Sequence, residues 1–164
     1  MTSHPFASDK LRRGFTLIET LIYIAILSVL IGSGMAGAFY IIDSSEKNKS
    51  DINAETEAHF LIRKIDWALE GADILNIPAP AANGPLLSVN KDNYASNPVV
   101  IDSGSGRARI SKAGGAPIEI TNTRVSIQNL KFEHLPSVGA KPPAIRATFQ
   151  IGTKNFESLK YLRK

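Results

Sequence analysis

Residues 12–42 read RRGFTLIETLIYIAILSVLIGSGMAGAFYII, and this stretch decides how the rest of the chain is organised. From Thr20 to Ile42 there are 23 residues with neither charge nor proline. As a helix at 1.5 Å per residue they extend about 35 Å, enough to cross a hydrocarbon layer of about 30 Å. Lys10, Arg12 and Arg13 stand before the apolar run, whereas Asp43 and Glu46 precede Lys47 and Lys49 beyond it. That asymmetry places the N-terminus in the cytoplasm and the bulk of the chain outside, with a single pass through the membrane.

Three readings of the apolar segment compete. One is a plain signal anchor. A second is a cleavable secretory signal, because Ala36-Gly37-Ala38 has the small-x-small pattern of a signal-peptidase site and cutting there frees Phe39. It would make the chain a secreted or membrane-anchored binding module. The third starts from Glu19, an acid at the edge of an apolar run. A carboxylate within a membrane segment costs several kcal/mol near the centre and less near the interface, and by default it has a functional partner.

The residues around that acid carry a family resemblance. Arg12-Arg13-Gly14-Phe15-Thr16-Leu17-Ile18-Glu19 resembles the processing and methylation site of type IV prepilins and type II secretion pseudopilins, and the resemblance continues through Leu21–Ile31. It implies that a prepilin peptidase removes residues 1–14 by cutting between Gly14 and Phe15, and that Phe15 becomes the methylated N-terminus. It also implies that Glu19, the fifth mature residue, aligns subunits by neutralising a neighbour's N-terminal amine. Such pairing is far stronger in a low-dielectric filament core than in water. The partners implied are other pilin or pseudopilin subunits, the peptidase, an inner-membrane assembly platform and membrane lipid. The implied location is the inner membrane and then a filament.

Major pilins of this family often carry a proline about 22 residues into the mature chain, where this sequence has Ala36. No proline kink is therefore implied. Gly32, Gly34 and Gly37 weaken a helix by roughly 1 kcal/mol each against alanine, or let helices approach closely. Residues 32–37 also fit G-x-G-x-x-G, but inside an apolar helix with no preceding strand the match carries no dinucleotide site.

After Ile42 proline stays absent until Pro78. Ala54, Ala58, Leu61, Ile65, Ala68, Leu69 and Ala72 recur at three- and four-residue steps, the mark of an amphipathic helix. The expectation is one helix from about Phe15 to Asn76, with room for loosening near Asp43–Ser50. Pro78-Ala79-Pro80 through Asn83-Gly84-Pro85 then forms a turn cluster. Strands are expected at 86–90, 99–102, 108–111, 118–121, 124–135, 144–151 and 156–162. In 124–135 the apolar phase shifts between Val125/Ile127 and Leu130/Phe132, which a bulge near Gln128-Asn129 explains.

The fold class is thus α+β and pilin-like: a long N-terminal helix, transmembrane in its first half and amphipathic in its second, packed on an antiparallel sheet. The divisions are 1–14 leader, 15–42 transmembrane or filament-core helix, 43–77 amphipathic helix half and 78–164 β-rich extracytoplasmic domain. The stretches Leu61–Ile65, Val125–Leu135 and Phe156–Arg163 weakly resemble J-type minor pseudopilins and W-type minor pilins. That resemblance implies a minor subunit, not an enzyme.

Composition sets further limits. The chain has no cysteine, which excludes disulfides, thiolate metal sites and cysteine nucleophiles. The histidines, His4, His59 and His134, have no metal-ligand spacing. Asn90–Asn93 could offer oxygens to calcium but lacks an EF-hand pattern, so it reads as a turn. Ser103–Gly106 is a turn as well and not a nucleophile elbow. No catalytic residue, metal or cofactor is implied.

Charge is uneven: residues 15–100 hold 5 basic and 10 acidic side chains, whereas 101–164 hold 11 basic and 4 acidic ones. Arg107, Arg109, Lys112, Lys131, Arg146, Lys154, Lys160, Arg163 and Lys164 raise a DNA-binding minor pilin as an alternative. Few aromatics interleave them, and a solvated sheet surface, or a face matching a neighbour's acidic helix, is the simpler account.

Overall fold

The computed structural model describes residues 15–162. It divides into two compact units, with the boundary between Lys47 and Asn48. In the first, helix α1 (Leu17–Leu69) begins at the apolar segment. Asp43 and Lys47 form an i,i+4 ion pair at 3.0 Å, and α1 is continuous through 43–50, so the loosening allowed there does not occur.

The second unit holds the remainder of α1 and nine strands. Strands β1 (Ala72–Ile77), β3 (Leu87–Lys91), β4 (Val99–Gly104), β5 (Arg107–Lys112) and β6 (Ile118–Glu119) form one sheet in the order β1-β3-β4-β5-β6. Strands β2 (Asn83–Gly84), β7 (Ile127–Leu135), β8 (Ala144–Ile151) and β9 (Lys154–Tyr161) form a second in the order β2-β7-β8-β9. Every pairing is antiparallel. The α+β class holds, with two sheets in place of the single sheet expected.

Both sheets share one core with the helix. Ala54, Ala58, Leu61, Ile65, Ala68 and Leu69 are all buried, together with Leu87, Val99 and Ile101 from the first sheet and Phe132, Ile145 and Phe149 from the second. Three alanines, Ala54, Ala58 and Ala68, lie on the buried helix face, and Leu61, Ile65 and Phe132 are among the largest side chains that fill the shared core.

The helix ends at Leu69, seven residues before the expected Asn76, and residues 72–77 are strand. Ala72 continues the apolar repeat by coincidence. Gly71 stops it by taking φ +68°, the left-handed conformation that closes helices and that glycine adopts at no steric cost. Ile74, Leu75 and Ile77 then pair with Asn90, Val89 and Ser88 across β1 and β3. The last turn of α1 contains no basic residue, and Lys91 from β3 supplies one by donating its Nζ to the Trp67 carbonyl.

The expected bulge in β7 is present. Gln128 pairs with Gln150 and Lys131 with Thr148, so two residues of β7 face one of β8, and Asn129 takes φ +54°. The extra residue lets Ile127, Leu130, Phe132 and His134 all point into the core. Strand β7 starts at Ile127, not Arg124, and β6 stops at Glu119. Ser105-Gly106 is a two-residue hairpin turn with positive φ at both positions, as a type I′ turn requires.

Candidate functional site

The strongest sequence signal lies where the chain enters α1. Gly14 and the rest of the leader, 1–14, lie outside the described residues. Phe15 is exposed and precedes the helix. Thr16 acts as its N-cap: the Glu19 amide meets the Thr16 Oγ1 at 3.3 Å and the Thr16 carbonyl at 3.1 Å, and the Thr20 amide donates to the same carbonyl. The spacing Thr16-x-x-Glu19 is a capping-box pattern, a signal for the helix start that the sequence itself carries.

Glu19 sits at the third helical position, where the exposed amides favour a negative charge. Tyr23, one turn on, donates its hydroxyl to Glu19 Oε1 at 3.0 Å, and its ring meets that of Phe15 edge-on with centroids 6.2 Å apart. Glu19 is the one residue from Phe15 to Ile52 that is partly buried; the others are exposed.

From Leu17 to Ile42 the large apolar side chains all point outward; Ile22, Leu27 and Phe39 are 50%, 56% and 69% exposed. The helix is long and apolar enough to cross a membrane, with a mean hydropathy of 2.0 over its best 18 residues. Its serine and threonine hydroxyls are satisfied locally: Thr20 donates to the Leu17 carbonyl, Ser28 to Ile24 and Ser33 to Leu30 at 2.8–3.0 Å. A segment in hydrocarbon must meet its polar groups internally in this way. Ala36-Gly37-Ala38, the rival processing site, lies within the uninterrupted helix.

The second unit answers much of its own positive charge. Arg109 makes a bidentate pair with Asp102 at 2.8 and 2.9 Å, and this hydrogen bonding raises its pKa further. Arg107 pairs with Glu119. Arg146 Nη1 reaches Glu133 at 3.1 Å, while its Nε stands 3.1 Å from Glu157 without hydrogen-bond geometry. Lys154 reaches Glu55 at 3.0 Å and Asp51 at 3.4 Å on the helix, and the Glu55 hydrogen bond raises its pKa.

Lys91 and Lys112 lie 4.3 and 4.9 Å from the Trp67 ring centroid. Burial is the main reason the Lys91 ammonium titrates below the ordinary lysine value, with Glu70 and Tyr94 opposing the shift and Lys112 adding to it. Of the turn expected over Asn90–Asn93, Asn90 and Lys91 belong to β3 and only Asp92-Asn93 turn. Asn97 ties down the strand end, its side chain taking the Lys91 amide at 2.9 Å and giving to the Lys91 carbonyl at 2.8 Å. Among the described residues no three His, Cys, Asp or Glu side chains gather to hold a metal. His59 is exposed on α1, and His134 is buried with Nδ1 3.2 Å from the Pro78 carbonyl oxygen.

Comparison with known proteins agrees with the N-terminal reading. Residues 9–35 match the family model of the prokaryotic N-terminal methylation motif. This is the signature of type IV prepilins and pseudopilins, and the chain carries it ahead of a pilin-like α+β fold. The motif implies processing by a prepilin peptidase and interaction with other pilins. No curated protein and no solved structure matches the chain.

Proposed function

We propose that this chain is a minor structural subunit, without enzymatic activity, of a type IV pilus or a type II secretion pseudopilus. The observation that carries this reading is the methylation motif over 9–35 running into a helix whose large apolar side chains are exposed among the described residues. Peptidase cleavage between Gly14 and Phe15 leaves a methylated Phe15 at the cytoplasmic edge of the membrane. The helix anchors the subunit in the inner membrane with the β-rich domain outside. An assembly platform then moves it from lipid into a helical bundle, where Glu19 meets the Phe15 amine of a neighbour.

N-terminal sequencing and intact mass of the mature protein test the reading. N-methyl-Phe15 is expected. A mature chain beginning at Phe39 would overturn it and make the protein a secreted module released by a conventional signal peptidase.

A further inference from the structure

Resting on the pilin reading, we infer that Tyr23 is a positioning residue for Glu19, holding one carboxylate oxygen so that the other is presented to a neighbouring subunit. Tyr23 Oη donates to Glu19 Oε1 at 3.0 Å across one helical turn. A carboxylate has room for about four hydrogen bonds, and among the described residues no other donor reaches this one. Oε2 is therefore open to an incoming ammonium.

The arrangement has two physical effects. A free glutamate side chain loses rotamer freedom when it is fixed in an interface, and the bond to Tyr23 restricts that freedom beforehand. A hydrogen bond to an ionised acceptor is also among the stronger ones, so the Tyr23 hydroxyl holds Oε1 in place at the edge of the apolar segment. Tyr23 is anchored in turn by its edge-on contact with Phe15, so the residue at the cleavage site and the assembly acid share one tyrosine. An interfacial tyrosine with no such task uses its hydroxyl to reach the headgroup layer whether or not Glu19 is present, so the two roles separate by their dependence on Glu19.

The test compares Tyr23→Phe in the natural and the Glu19→Gln backgrounds, using the full chain. Two quantities are read: incorporation into filaments relative to membrane-held subunit, and the Glu19 side-chain carboxylate carbon signal in detergent, assigned by its loss in Glu19→Gln. Positioning through the hydroxyl predicts that Tyr23→Phe moves the carboxylate signal. It also predicts incorporation about ten-fold lower with Glu19 present and no further loss in Glu19→Gln. An unmoved signal, undiminished incorporation, or an equal loss in both backgrounds overturns the role. Failure of the pilin reading looks different: the natural chain itself is then absent from filaments and its mature form begins at Phe39, and the assembly role of Tyr23 falls with it even if the carboxylate signal moves.

Discussion

Asn122 Nδ2 donates to Glu57 Oε1 at 2.7 Å, joining α1 to the segment between β6 and β7, 65 residues further on. The Asn122 amide also meets Glu57 Oε2 at 3.3 Å, and Asn122 Oδ1 accepts from the Arg124 amide at 2.8 Å. One asparagine thus fixes the loop to the helix and shapes the loop itself.

Glu57→Ala and Asn122→Ala should each destabilise the β-rich unit by about 1 kcal/mol, because both lie near the surface and water replaces part of what is lost. The double variant should cost little more than either single one. Denaturant unfolding of the purified chain in detergent measures all three, and full additivity would show that the bond contributes nothing.

Leu61 and Phe132 are both fully buried in the shared core, one from the helix and one from β7. Leu61→Ala should cost about 2–5 kcal/mol and Phe132→Ala about 3–5, since each leaves a cavity that a two-sheet core closes only in part. Ile52→Ala, at an exposed helix position, should stay within about 0.5 kcal/mol. Thermal unfolding should show a large drop in Tm for both core variants and almost none for Ile52→Ala.

The core was legible wherever periodicity was uninterrupted. Leu61, Ile65 and Ala68 follow the helical repeat, and Ile145, Phe149 and Ile151 alternate as a half-buried strand must. The phase shift before Leu130 located the β7 bulge because the core accepts only one parity on each side of it. The end of α1 was misplaced because Ala72 prolongs the repeat past Gly71, whose backbone conformation outweighs one more apolar position. The short strand β2 and the split into two sheets depend on pairing across long loops, which no local pattern reports. At the N-terminal site the residue types named the chemistry, whereas the Tyr23–Glu19 bond required side-chain geometry.

Lys154 and Lys91 should titrate on opposite sides of the ordinary lysine value of 10.5. Lys154 is raised chiefly by its hydrogen bond to Glu55, so its stabilising contribution is complete below 10.5 and fades as pH rises through the higher folded value. Lys91 is lowered chiefly by burial, so its charged form opposes folding at neutral pH, and that opposition is relieved as pH climbs through its folded value towards 10.5. Lysine-selective NMR titration gives both midpoints. Glu55→Gln should bring Lys154 down while leaving Lys91 where it was.

The basic C-terminal half should not bind duplex DNA appreciably at physiological salt. Arg107, Arg109, Arg146 and Lys154 already face carboxylates, and Lys112 lies over Trp67. A protein contacting several phosphates loses affinity steeply with salt, with a slope near −0.9 per contact. Fluorescence anisotropy between 50 and 200 mM salt should show neither tight binding nor that slope. Tight binding with a slope of several contacts would favour the DNA-binding minor pilin instead.

Replacing Glu19 by alanine should separate processing from assembly. The bond to be cut, Gly14–Phe15, lies upstream of α1, so leader removal should proceed at close to its normal extent. Membrane retention should hold or improve, because removing an acid from a membrane helix relieves up to about 3 kcal/mol, less near the interface. Incorporation should fall sharply. An ammonium and a carboxylate at about 4 Å attract by on the order of 4 kcal/mol at an effective dielectric of 20. Losing even half of that amounts to about thirty-fold. Immunoblots of membrane and sheared-filament fractions, with the mature mass determined in each, report the three quantities together. A processed Glu19→Ala subunit present in filaments at the natural ratio would refute the pairing, because no other described side chain from Phe15 to Ile42 carries a charge to take its place.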